Sequence, residues 1–230
     1  MYSLTDHQHV FGEVGSTRNV TQNLKLGECV CDETINAAMR MILHVYDEKQ
    51  NFNPCKSTNA ITCSDSSAFK DDKTKYSIQI VHIAERHHWV CVVYDPGQKM
   101  VLVIDSWNST YDKYVSGDTK TEFVEMNSMK LCVYRHKYIC KDLKKYLVDF
   151  YPNATTYQTC FTQQQNDGTS CGLFSIAAMQ AFVCGCSEFF TDDLPVREIS
   201  LERTNDLYER VKFFCTWKMH LGDMYKNLLF

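Results

Sequence analysis

The sequence predicts an α+β fold with a central, mainly antiparallel sheet flanked by helices. Three observations carry this. A helical apolar repeat lies near the N-terminus, two apolar strand-like runs surround a Pro-Gly turn in the middle, and an unbroken apolar stretch follows residue 170. Helices placed before and after the strands, not alternating with them, favour α+β over a parallel α/β sheet.

In chain order, residues 1–26 are polar, without periodicity, and read as an N-terminal extension; residues 27–230 read as one domain. Residues 32–46 form the first helix, with Asp32 as N-cap and Ile35, Met39, Ile42, Leu43 and Tyr46 near a 3.6-residue period. Residues 50–74, rich in Asn, Ser, Thr, Asp and Lys, read as a long loop. Residues 76–83 alternate Tyr76, Ile78, Ile80 and His82 with Ser77, Gln79 and Val81, as a strand does. Residues 89–94 and 100–104 are apolar runs on either side of Asp95-Pro96-Gly97-Gln98, a hairpin buried on both faces. A spacer at 107–129 precedes a strand at 131–134, a helix at 141–151 and a short strand at 157–162. An apolar helix at 171–183 and an amphipathic helix at 201–220 complete the chain.

Composition removes whole function classes. Of the 230 residues, 44% are hydrophobic and 23% charged, which supplies a core and excludes a disordered chain. The net charge of −4 offers no basic footprint for nucleic acid. No apolar run reaches the roughly 18–20 residues of a membrane span, and the first residues do not read as a secretory signal. Twelve cysteines are too few for a disulfide scaffold of this length, so they read as reduced thiols of an intracellular protein, many of them small core residues. Cys29-x-Cys31 and Cys184-x-Cys186 leave one residue between thiols where zinc pairs leave two to four, and His7-x-His9 lies in the extension, so no metal is expected.

Three segments carry chemistry together: Arg86-His87-His88-Trp89, Val103-Ile104-Asp105-Ser106, and the run from Gln163 to Gly172. A cysteine attacks a carbonyl as thiolate, and a helix N-terminus favours that form; Cys171 stands where the apolar helix begins. An imidazole can take the proton and return it to a leaving amine, and a carboxylate can hold the imidazole in place. His88 and Asp105 are 17 residues apart across the hairpin, which puts the start of one strand beside the end of the next. His87 is the rival base. Gln165, six residues before Cys171, can offer an N–H to an oxyanion, with the Cys171 backbone N–H as second donor; Gln164 is the alternative if the register slips.

These segments resemble the SUMO proteases, the ubiquitin-like-modifier-specific cysteine proteases of clan CE. That family reads His-Trp, then Asp-Ser, then Gln followed after five residues by Cys-Gly, as in His88-Trp89, Asp105-Ser106 and Gln165 to Cys171-Gly172. A weaker likeness over residues 27–35 extends the resemblance to roughly 27–185. It implies a papain-like, adenain-like fold and a catalytic set of His88, Asp105 and Cys171 with Gln165 in the oxyanion hole. Trp89 would line the tunnel for the modifier's Gly-Gly tail, the substrate would be a ubiquitin-like modifier or its conjugate, and no cofactor would be needed.

Two positions depart from the family. Cys29 stands where the family has the tryptophan that forms the other tunnel wall, and Ser170 stands where it usually has an aspartate before the nucleophile. Other substrates therefore stay open: a viral- or transposon-type processing protease, a deubiquitinase or an acyltransferase. A modifier-binding module with dead chemistry is a further alternative, and the complete His, Asp, Gln and Cys set speaks against it.

Overall fold

The structure, a computed structural model, describes residues 28–32, 34–36, 38–39, 42, 52–54, 61–62, 76–107, 121–134, 139–160, 162, 165, 167–185 and 190. The expected N-terminal extension, the helix at 201–220, Gln163 and Gln164 lie outside these residues.

Among the described residues, eight strands form one mixed sheet: β1 (Phe52–Pro54), β2 (Ile61–Thr62), β3 (Tyr76–Ile83), β4 (His88–Asp95), β5 (Met100–Ile104), β6 (Thr121–Met126), β7 (Met129–Tyr134) and β8 (Thr156–Cys160). Their order is β1-β3-β4-β5-β8-β7-β6, with β2 also on the outer edge of β3. The pairs β3–β4, β4–β5, β6–β7 and β7–β8 are antiparallel, whereas β1–β3, β2–β3 and β5–β8 are parallel. Helix α1 (Lys141–Phe150) and helix α2 (Cys171–Cys184) cover the sheet.

Side-chain alternation on the central strands builds a layer on each face. Ile78, Ile80, Cys91, Val93, Leu102 and Ile104 pack with α2 and with Ile35, Met39 and Ile42 of the first helix. Val81, Val90, Val92, Val101 and Val103 pack on the opposite side with Leu143, Tyr146, Leu147 and Phe150 of α1. β4 and β5 are buried at every position, which is why they read as unbroken apolar runs. α1 keeps its lysines on the solvent side, while α2 is buried from Cys171 through Val183 and carries no polar face to expose.

Several boundaries differ from expectation. The described residues between 32 and 42 are helical, but the cap is Cys31, whose carbonyl accepts the Ile35 N–H at 3.2 Å; Asp32 is already inside the helix. The stretch read as loop over 50–74 holds β1 and β2, strands of three and two residues that are too short to show a period. The spacer at 107–129 holds β6, joined to β7 by Asn127 and Ser128, both at positive φ, as a two-residue hairpin turn requires. The turn after β4 is held as expected: Asp95 Oδ1 accepts the Gly97 and Gln98 N–H groups at 2.8 and 3.1 Å.

Of the twelve cysteines, eight are described and none of these eight is in a disulfide; Cys91, Cys132, Cys140, Cys160 and Cys171 are buried. Among the described residues no helix is long and apolar enough to cross a membrane. No group of three or more His, Cys, Asp or Glu among them is placed to hold a metal ion.

Candidate active site

The hairpin brings the first two site residues together. β4 starts at His88 and β5 ends at Ile104, paired opposite Cys91. One step further along this register, Asp105 lies opposite Val90 and diagonal to His88, within reach of a long side chain. His88 Nε2 and Asp105 Oδ1 are 2.7 Å apart. Asp105 Oδ1 also accepts the Trp107 N–H at 2.8 Å, which fixes the carboxylate from its own chain. His87, the rival, is exposed and sits at φ 48°, capping the short 3-10 turn Ala84–Arg86. The left-handed residue ends that turn, and the strand begins with His88.

His88 is almost fully buried. Burial pushes the imidazole pKa down. The hydrogen bonds and charges of Asp105 and Cys171 more than offset this and bring it up to about 9. The imidazole therefore holds its proton at neutral pH, beside the sulfur of Cys171. Trp107 stands over the ring edge-on, centroids 5.3 Å apart, with its own indole exposed.

Cys171 is the first residue of α2. The N–H groups of a first helical turn have no partner inside the helix and carry its positive end. Asp167 organises the approach: its Oδ1 accepts the Thr169 and Ser170 N–H groups at 2.8 and 2.7 Å, and its Oδ2 accepts the Ser170 hydroxyl at 2.6 Å. Partial burial raises the Asp167 pKa, but the Ser170 and Thr169 bonds outweigh it and hold the carboxyl below its ordinary value. Gln165 is buried, with its Oε1 accepting the Ser106 hydroxyl at 2.7 Å and its Nε2 donating to the Asp167 carbonyl at 2.8 Å.

Behind Cys171, Gly172 lets Val30 pack against α2. A Cβ on Gly172 would stand 2.9 Å from Val30 Cβ, an atom next to the backbone that cannot swing aside. Gly172→Ala is therefore expected to destabilise the protein by about 1–3 kcal/mol, or roughly 2–4 °C of Tm per kcal/mol. Thermal unfolding checks this, and an unchanged Tm would mean that the contact yields freely.

The profile of the Ulp1 protease family, C-terminal catalytic domain, matches residues 47–211. The chain belongs to the Ulp1 protease family. It is a cysteine peptidase with the α+β, papain-like fold expected. Among solved structures, a de-sumoylating protease aligns with TM-score 0.51 at 12% identity, covering 86% of this chain and 84% of the other. The Ulp1-like SUMO protease catalytic domain of Chaetomium thermophilum aligns with TM-score 0.51 at 12% identity, covering 91% and 87%. The Ulp1 protease domain in complex with Smt3, the yeast ortholog of SUMO, aligns with TM-score 0.44 at 15% identity, covering 94% and 95%. Comparison with curated protein sequences finds no match.

His88 meets both Asp105 and Cys171, and Gln165 is tied to the residue after Asp105, Ser106. Trp89 is buried, its ring 4.4 Å from that of His82. Cys29 is exposed, and partial burial first, then the charges of Cys171 and Asp167, raise its pKa. The parts that the sequence alone did not point to are Ser106 as a partner of Gln165, Asp167 as the anchor of the loop before Cys171, and Trp107. Only Asp167 left a signal: Asp-Gly-Thr-Ser is the pattern of a side chain that binds backbone two and three residues on.

Proposed function

We propose that this chain cleaves the peptide or isopeptide bond after the C-terminal glycine of a ubiquitin-like modifier of the SUMO type. The observation that carries the chemistry is the 2.7 Å bond between His88 Nε2 and Asp105, on a ring that also has Cys171 beside it. The Cys171 thiolate attacks the scissile carbonyl carbon, with a cationic imidazole as the neighbouring charge that stabilises it. The oxyanion is met by the Gln165 amide and the Cys171 backbone N–H. His88 gives its proton to the leaving amine as the thioester forms, then takes one from water, whose attack releases the modifier's C-terminal carboxyl group and restores the Cys171 thiolate beside the protonated imidazole. Asp105 keeps the ring oriented throughout. Water thus returns the proton that His88 gave to the leaving amine.

Family membership and the character of the two solved relatives with the same fold favour a SUMO-type substrate. Trp89 would form one wall of the channel for the tail. The proposed catalytic unit is residues 27–230, with 1–26 as an extension; packing of Val30 on Gly172 supports its early start. An intracellular site of action, nuclear or cytoplasmic, follows from the proposed substrate and suits a nucleophile that must stay reduced. A second reading keeps the chemistry but changes the tail. An exposed thiol at Cys29 in place of a ring leaves that side of the channel open, which suits a processing protease with a bulkier residue before the cut.

Incubation with SUMO, ubiquitin and NEDD8 carrying C-terminal electrophiles tests this. A covalent adduct with SUMO alone, lost in Cys171→Ala, is the expected result. Capture of only ubiquitin or NEDD8 would replace the substrate. Capture of none, together with fast alkylation of Cys171 by iodoacetamide, would favour the second reading.

A further inference from the structure

The dipeptide Asp105-Ser106 at the end of β5 serves both halves of the site. Asp105 holds the base, and Ser106, the next residue, reaches Gln165, 59 positions later in the chain. Two bonds join Ser106 to Gln165. The Ser106 hydroxyl donates to Gln165 Oε1 at 2.7 Å, and the Gln165 backbone N–H donates to the Ser106 carbonyl at 2.8 Å. Both residues are buried.

A carboxamide has a donor end and an acceptor end, and only the donor end is useful to an oxyanion. The Asp167 carbonyl can only accept, so it sets Nε2 on its own side at 2.8 Å. That uses one of the two Nε2 hydrogens and leaves the other for a ligand. Oε1 then lies on the buried side, and the Ser106 hydroxyl satisfies it. Without that hydroxyl, a buried acceptor has no partner, and the amide gains by turning to find one.

We propose that Ser106 is a positioning residue for the oxyanion hole: it fixes the Gln165 amide with its donor end toward the nucleophile loop. Ser106 has this role only if Gln165 is an oxyanion donor, as proposed above.

The test separates the two claims. Acylation by p-nitrophenyl acetate needs a nucleophile and an oxyanion hole but no modifier. Alkylation by iodoacetamide needs the nucleophile alone. Both are measured for the full chain and for Ser106→Ala, Gln165→Ala and the double variant. Ser106→Ala is expected to slow acylation on the order of 10-fold, less than the roughly 10²–10³-fold for loss of a donor itself. The Cys171 alkylation rate and its pH profile stay unchanged. In the Gln165→Ala background, Ser106→Ala adds nothing, because its effect passes through the amide. An equal further loss in that background would overturn the proposal, as would unchanged acylation in the single variant. A matching fall in alkylation would mean that Ser106 only supports the fold. If Gln165→Ala itself acylates at the full rate, the oxyanion assignment fails, and this proposal fails with it.

Discussion

Cys171→Ala takes modifier hydrolysis and probe capture to background, a loss on the order of 10⁴-fold or more. The variant remains folded. Cys171 is only 2% exposed, but the change removes a single sulfur atom, and the void it leaves costs about 1 kcal/mol or less. Binding of the modifier therefore survives, and titration with an unreactive SUMO measures it. The substitution also reaches the base. Burial drives the His88 pKa down, and Cys171 supplies one of the two hydrogen bonds and one of the two charges that bring it up to about 9. With the sulfur gone, the His88 pKa falls, and NMR titration of the imidazole follows that shift. Turnover that persisted in Cys171→Ala would move the nucleophile elsewhere, and the exposed thiol of Cys29 is the next to test.

What was legible in the sequence follows from which constraints are local. β4 and β5 showed themselves because strands buried on both faces read as nearly unbroken apolar runs, β3 showed itself by its alternation, and Asp95-Pro96-Gly97-Gln98 closes the hairpin between β4 and β5. The His88–Asp105 pair was legible for the same reason: a hairpin of known length converts a sequence spacing into a distance. β6 escaped because an edge strand needs no apolar run; it reads Thr-Glu-Phe-Val-Glu-Met and leaves Phe123 exposed, with the Lys130 ammonium 4.3 Å from its ring centroid. β1 and β2 escaped because they are strands only by pairing with β3. Gln165 was found by its distance from Cys171, but its orientation was not, since that depends on Ser106 from another loop. Such contacts between distant loops have no period and no local spacing. His88 was preferred to His87 because it directly precedes Trp89, and the backbone adds a separate reason: His87 ends the turn in a left-handed conformation.

Asp105→Ala is expected to lower kcat by about 10²–10⁴-fold with KM little changed, because it removes the group that orients the base and stabilises its charge. Asp105→Asn falls between this variant and the wild type. An asparagine Oδ1 can still face Nε2 and accept the Trp107 N–H, as the carboxylate oxygen does at 2.8 Å, but it brings no charge. The stability of the folded state reads that charge separately from catalysis. In the wild type the His88 pKa lies above its ordinary 6.5, at about 9. The native state thus binds the proton more tightly than the unfolded chain does. Its contribution is fully present below pH 6.5 and is lost as pH rises toward 9, on the order of 3 kcal/mol at about 1.4 kcal/mol per pKa unit. In Asp105→Ala, burial competes with Cys171 alone, so the His88 pKa drops and the loss of stability across that window shrinks. In the double variant with Cys171→Ala, burial acts without opposition. The sign then reverses: the unfolded chain binds the proton more tightly, and stability falls as pH drops through 6.5. Urea unfolding of the three proteins between pH 5.5 and 9, taken as differences from wild type, measures this. Parallel pH profiles in all three would mean that His88 carries no proton in the native state, and the ion-pair mechanism would be wrong.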